Sequence, residues 1–219
     1  MKIGIDESVY ENPHKQEDFK LMILMGFFTA FYLLANILAV KAVQIAFITV
    51  PLGVLCFPFL FLITDVTSEV YGKKTAQKMV GVGFVVMLAS LALMQLAVYL
   101  RPAGFFEGFP QEAFKTILGA TLRITGASMV TYLISQYHDV WAFHFWRKIT
   151  KGKHLWIRNN LSTIISQLLD SAIFVTLAFV GTVPGSVLWA MIWGQWLVKC
   201  VIALADTPFC YILVKWAKK

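Results

Sequence analysis

The sequence predicts an all-α, polytopic membrane protein with six transmembrane helices and both termini in the cytoplasm. Three observations carry this. Of 219 residues, 58% are hydrophobic and only 14% charged, against about 25% charge in an average soluble domain. Six apolar segments are long enough to cross the hydrocarbon layer, at roughly 20 residues each. Lysine and arginine alternate from one connecting segment to the next.

The segments fall near 19–40, 46–66, 77–100, 113–136, 161–183 and 187–214. The second contains Pro51, Gly53 and Pro58, which predict a kink or a break. The fourth is the most polar, with Thr121, Arg123, Thr125 and Ser128 inside it. Ahead of the first lie Asp6, Glu7, Glu11, Glu17 and Asp18, a pattern foreign to signal and transit peptides, so no cleavage is expected. The chain therefore reads as an N-terminal segment (1–18), one membrane domain (19–216) and a short tail (217–219).

Counted by compartment, the N-terminus carries three basic residues and the successive loops one, three, two, five and none, with three at the C-terminus. One side of the membrane thus holds fourteen and the other three. The positive-inside rule puts both termini in the cytoplasm, and the alternation would fail if a span were added or lost. The net charge of +7 belongs to the membrane surface, and no nucleic-acid partner is expected.

What remains inside the spans is chemically informative. Asp65, Asp170 and Asp206 lie within them, as do Arg123 and Lys199, with Glu69 near the inner boundary. A charge at mid-membrane costs about 2.5–3.5 kcal/mol on insertion scales, so these side chains should face one another, water or a ligand. Three aspartates against two cations leave one carboxylate over, free to take a proton or a donor from outside.

The fifth span shows the clearest pattern. Asn160, Thr163, Gln167 and Asp170 share one helical face, widened by Ser166 and Ser171; the face is either interhelical hydrogen-bonding glue or the lining of a cavity. In the sixth span Lys199 and Asp206 are seven residues apart on one face, and a structural pair explains them as well as a functional one. Pro208 should bend that helix. Asp65 and Glu69 share a face of the second span if its helix continues, and Lys73 is a local partner for Glu69.

Weaker signals complete the reading. "SQYHDVWAF" (135–143) and "SQLLDSAIF" (166–174) share the spacing S-Q-x-x-D-x-x-x-F, at different expected depths. "ANILA" (35–39) permits close helix contact, so a homodimer or a partner docked there stays open. His138, His144 and His154 lack ligand spacing, and Cys56, Cys200 and Cys210 read as small buried side chains. Neither a metal nor a cofactor is expected. An intramembrane enzyme would need ligand spacing that the chain lacks.

Three stretches, "FPFLFLITDVTSEVYGKKTAQK", "WIRNNLSTIISQLLDSAIF" and "KCVIALADTPFCY", resemble the queuosine precursor transporters, also known as a vitamin uptake transporter family. The likeness covers about 20–215 and includes TD-x-x-SEVYG, R-x-x-x-A-S, SQ-x-x-D, W-x-RNN-x-ST and K-x-x-x-A-x-x-DTP in order. One departure is Gln77, where arginine is expected. The resemblance implies uptake of a 7-deazaguanine (preQ0, preQ1 or queuine) across the bacterial inner membrane. A carboxylate, Asp65 or Asp170, would then accept from N1–H and the exocyclic amine of the base. Asn36, Asn160 and Gln167 would be neutral partners, and Phe57, Phe59, Phe61 or Trp193 would stack on the ring. Arg123 and Lys199 would hold the carboxylates. With no phosphate-cradling loop, the chain would be a facilitator, a proton-coupled carrier, or the binding subunit of a system energised by a separate ATPase.

Overall fold

The computed structural model describes residues 13–39, 41–45, 48–119 and 122–218. Its elements are helix α1 (Pro13–Leu38), a hairpin of β1 (Ala42–Ile45) and β2 (Ile48–Pro51), a 3-10 turn (Leu52–Leu55), then α2 (Phe57–Val70) and α3 (Lys73–Tyr99). They continue with a 3-10 turn (Gly104–Phe106), α4 (Phe109–Leu118), α5 (Leu122–Ile149), α6 (Leu155–Phe179), α7 (Gly185–Ala205) and α8 (Thr207–Ala217). Among the described residues, five helical segments are long and apolar enough to cross a membrane: Phe19–Leu38, Leu52–Val70, Lys73–Tyr99, Leu155–Phe179 and Gly185–Ala205.

Three boundaries differ from expectation. Residues 48–51 are not the start of the second span but a strand, antiparallel to β1 with Ala42 opposite Pro51. Pro51 ends it, and Pro58 sits in the first turn of α2, where its missing N–H costs nothing. The fourth apolar segment is also divided. Its first part is the surface helix α4, with Glu112 in its first turn and Lys115 in its last, and α5 runs on to Ile149. The sixth splits at Asp206, with Pro208 in the first turn of α8.

The burial pattern is inverted relative to a soluble protein. Large apolar side chains cover the outside, among them Val85, Leu88, Leu93 and Leu96 of α3 and Val201 and Leu204 of α7. Polar side chains of α2, α5 and α6 are buried. At the centre is α2, packed against α1, α3, α5, α6, α7 and α8, with every residue from Leu60 to Ser68 buried. One seam is especially tight. Tyr32 of α1 stacks on Tyr132 of α5 at 4.0 Å between ring centroids, and Tyr132 donates to the Val80 carbonyl at 2.9 Å. A Cβ on Gly83 of α3 would lie 2.6 Å from both Phe28 and Tyr132.

The "ANILA" stretch closes a contact within the chain. A Cβ on Gly53 would lie 2.1 Å from the Ala35 carbonyl oxygen and 3.2 Å from the Ala39 Cβ. The small residues thus let the turn before α2 press against the end of α1, and Ala35 is fully buried. Ala35 is therefore used within the chain, while Ala39 stays exposed.

Candidate functional site

The polar face expected on α6 is present and buried. Asn159, Asn160, Ser162, Thr163, Ser166, Gln167, Asp170 and Ser171 all lie inside the bundle, over a length of about 18 Å at 1.5 Å per residue. Neighbouring helices divide it into a cavity at its C-terminal end, a carboxylate cluster in its first half and a charged closure at its N-terminal end.

A cavity of about 350 Å³ lies at the C-terminal end of the face, beside Asp170 and Phe174, within the size range of small-molecule sites. Its walls include Asn36, Gly53, Phe57, Ser128, Thr131, Asp170, Phe174, Gln195 and Lys199, and residues Thr116–Gly119 border it. Lys199 pairs with Asp170 Oδ2, both side chains being buried, while Ser135 donates to Asp170 Oδ1 at 3.1 Å. The ammonium also lies 4.9 Å from the centre of the Phe57 ring, an attractive position over an aromatic face. Ser128 donates to Asn36 Oδ1 at 3.1 Å, and Asn36 Nδ2 donates to the Tyr32 carbonyl. An ion pair, three hydroxyls (Thr116, Ser128 and Thr131), two amides and two aromatic rings therefore surround one space.

Lys199 does not pair with Asp206, as their shared face allowed. Two helical turns separate them by about 10 Å, and α7 ends at Ala205. Asp206 turns instead toward Asn159 at the N-terminal end of α6.

Further in, Asp65 of α2 faces Asp139 of α5, with Asp206 nearby. Thr163 donates to Asp65 Oδ2 at 3.3 Å, and the Asp139 carboxyl lies within hydrogen-bonding reach of the Asp65 carboxyl. Ser162 and Ser166 lie beside Asp139. Their hydroxyls also reach the backbone carbonyls of Asn159 and Ser162, at 3.1 and 2.8 Å, so they are shared between those carbonyls and the Asp139 carboxylate. The Ser166 hydroxyl also contacts His138 Nδ1 at 2.9 Å.

One turn beyond Asp65, Glu69 closes the N-terminal end of the face. Arg158 lies 2.6 Å from its carboxylate, Lys218 3.3 Å and Arg147 3.8 Å. Arg158 also donates to the Gly152 carbonyl at 2.8 Å. Glu69 is thus held by α5, α6 and the end of α8, in place of the expected partner Lys73.

Of the predicted residues, Asn36, Phe57, Asp170 and Lys199 line the cavity. Gln167 is fully buried one turn from Asp170, with both amide atoms unpartnered. Asn160 is tied to Thr207 of α8 at 2.9 Å, and Phe61 is buried in the bundle. Phe59 stacks on Phe31 at 4.8 Å. Trp193 is 45% exposed on the outer surface, beside Trp196. The side chain of Arg123 lies outside the described residues. Sequence reasoning missed Asp139, Ser135, Gln136, Gln195 and Arg158. A shorter fourth span would have hidden Asp139, and the S-Q-x-x-D repeat was its one signal. No group of three or more metal-ligating side chains is arranged to hold an ion among the described residues.

Apolar helices wrapped around a charged, ligand-sized cavity define a small polytopic carrier. The chain belongs to the putative vitamin uptake transporter family, whose model matches residues 51–213. It is similar to the probable queuosine precursor transporter of Bacillus subtilis (strain 168), 33% identical over 196 residues that cover 89% of this chain and 83% of the relative. It is also similar to the queuosine precursor transporter of Escherichia coli (strain K12), 29% identical over 127 residues, 58% of this chain and 54% of that protein. The probable queuosine precursor transporter of Haemophilus influenzae is 31% identical over 127 residues, 51% of its length. No solved structure matches.

Proposed function

We propose that this protein takes up a queuosine precursor, a 7-deazaguanine such as preQ0, preQ1 or queuine, across the bacterial inner membrane. The observation that carries the reading is the buried Asp170–Lys199 pair on the wall of the 350 Å³ cavity. Carboxylate oxygens have lone pairs beyond those used by Lys199 and Ser135. They can accept from N1–H and the exocyclic amine of the base. Gln195 and Asn36 supply neutral polar contacts and Phe57 a stacking surface. The names of the relatives support the substrate class.

Six spans with cytoplasmic termini remain the topology proposed, α5 supplying the span beyond the five apolar ones; the basic-residue alternation supports it. The cavity then opens outward, and Glu69 with Arg158 closes the cytoplasmic side. Asp65 and Asp139, facing each other without a described cation between them, are the pair proposed to carry a proton if uptake is proton-coupled. A homodimer would have to form through the apolar outer face, since Ala35 is occupied by Gly53.

Calorimetry of preQ1, preQ0, queuine and guanine with the purified protein tests this. Binding of a deazaguanine, lost on Asp170→Asn, is expected; no binding of any of the four to folded protein would overturn it. The second reading, a binding subunit energised by a separate ATPase, is separated by reconstitution, because that subunit alone would bind but not transport.

A further inference from the structure

The two S-Q-x-x-D segments meet in the fold. Helices α5 and α6 are antiparallel neighbours, and each segment lies mid-helix. Ser135 of the first donates to Asp170 of the second at 3.1 Å, and Ser166 of the second lies beside Asp139 of the first. The serine of each thus faces the aspartate of the other, a local two-fold relation. The different depths expected for the two segments do not occur, because α5 extends to Ile149 rather than ending near residue 136.

The two halves differ in their surroundings. Asp170 lines the open cavity with both oxygens contacted. Its counterpart Asp139 is fully buried, meets only Asp65, Ser162 and Ser166, and has no described cation beside it. Gln136, one turn away on α5, accepts from Thr64 at 3.2 Å through Oε1, while its Nε2 is buried without an acceptor. Leaving such a group unsatisfied is costly, and in a transporter a passing ligand can complete it. The set is two acceptor oxygens beside one amide donor. That is the complement of a guanine-type edge, which offers an amine, an N1–H and a carbonyl oxygen.

We infer that Gln136, Asp139 and Ser166 form a second, exit-side binding site, to which the base passes from the Asp170 cavity before release into the cytoplasm. This inference rests on the uptake reading above. The transfer is short: Ser166 and Asp170 are four residues apart on α6, about 6 Å along the axis. Gln167 lies between the two halves with both amide atoms unpartnered, so the base keeps a polar contact as it moves. Glu69 and Arg158, beyond the second site, must part for release.

The test compares binding with transport, using preQ1 as probe and the full chain in detergent and in proteoliposomes. Asp139→Asn should bind preQ1 within about twofold of wild type but take it up at least about tenfold more slowly, the loss expected for one hydrogen bond to a charged group. Its melting temperature should not fall, because a buried carboxylate without a described cation has been replaced by a neutral amide that can still accept from Ser162 and Ser166. A residue serving only structure would lower the melting temperature instead. Gln136→Glu keeps the acceptor for Thr64 and reverses the donor, so it should show the same separation and carries the test should Asp139→Asn misfold. Asp170→Asn should lose binding and uptake together. Wild-type uptake by both inner variants would overturn the inference. So would loss of preQ1 binding by folded Asp139→Asn matching that of Asp170→Asn, because the two halves would then be one site. Failure of wild type to bind preQ1 would instead remove the uptake reading itself, and this inference with it.

Discussion

Ser135 and Asp170 are joined across the α5–α6 contact at 3.1 Å, and Lys199 holds the other oxygen of the same carboxylate. The carboxylate therefore has one oxygen fixed by each neighbouring helix. Removing one partner of a buried ion pair typically costs about 3–5 kcal/mol. Lys199→Met should accordingly lower the melting temperature in detergent sharply. The double variant Asp170→Leu/Lys199→Met should recover most of that loss without recovering uptake. Uptake restored together with stability would show that the pair serves folding alone.

Phe57 and Trp193 provide a contrast between two aromatic candidates. Phe57 lines the cavity under the Lys199 ammonium, whereas Trp193 faces outward. Phe57→Leu is expected to weaken substrate binding by about 0.5–1.5 kcal/mol, the usual contribution of ring stacking beyond burial. Trp193→Leu should leave affinity unchanged. Titration of the two variants in parallel decides it, and an equal loss in both would count against the cavity as the binding place.

Glu69 brings together α2, α5, α6 and the end of α8 through Arg147, Arg158 and Lys218. Cys210 lies behind this closure, fully buried, and reports on it. In a Cys56→Ser/Cys200→Ser background, Glu69→Gln should accelerate alkylation of Cys210 by a water-soluble reagent by at least about tenfold, as expected on breaking a buried pair. An unchanged rate would mean that apolar packing, and not the charges, closes this end.

Gly83 fits where no side chain can. Gly83→Ala should destabilise the protein by about 1–3 kcal/mol, the usual range for overpacking, because Phe28 and Tyr132 are both 2.6 Å from the added carbon. At Gly81 the nearest atom is the Tyr137 hydroxyl at 3.7 Å, so Gly81→Ala serves as the neutral control. Melting curves in detergent should separate the two.

The apolar helices and the polar face of α6 were legible because each is a local pattern, set by hydropathy and by the helical period. Partners were not. Lys199 shares a face with Asp206 on one helix, yet its partner is Asp170 on another, and only tertiary contact distinguishes them. Glu69 likewise prefers the distant Arg158 to the local Lys73. Asp139 escaped notice because α5 mixes Ser, Gln, His and Asp among its apolar residues, which shifts the apparent centre of the span toward its start. The hairpin at 42–51 is as apolar as a span, so hydropathy alone merges it with the helix that follows.

The central position of α2 has a consequence for how the chain is made. The span that contains this helix, Leu52–Val70, is 78% buried, and protein surrounds the middle of α2 on every side. Lipid alone is thus a poor host for a segment carrying Asp65, Thr64, Thr67 and Ser68. Five of the helices that enclose it, α3 and α5 to α8, are synthesised only later. During biogenesis α2 must wait, sheltered at the insertion machinery or among waters, until the second half of the chain arrives to receive it.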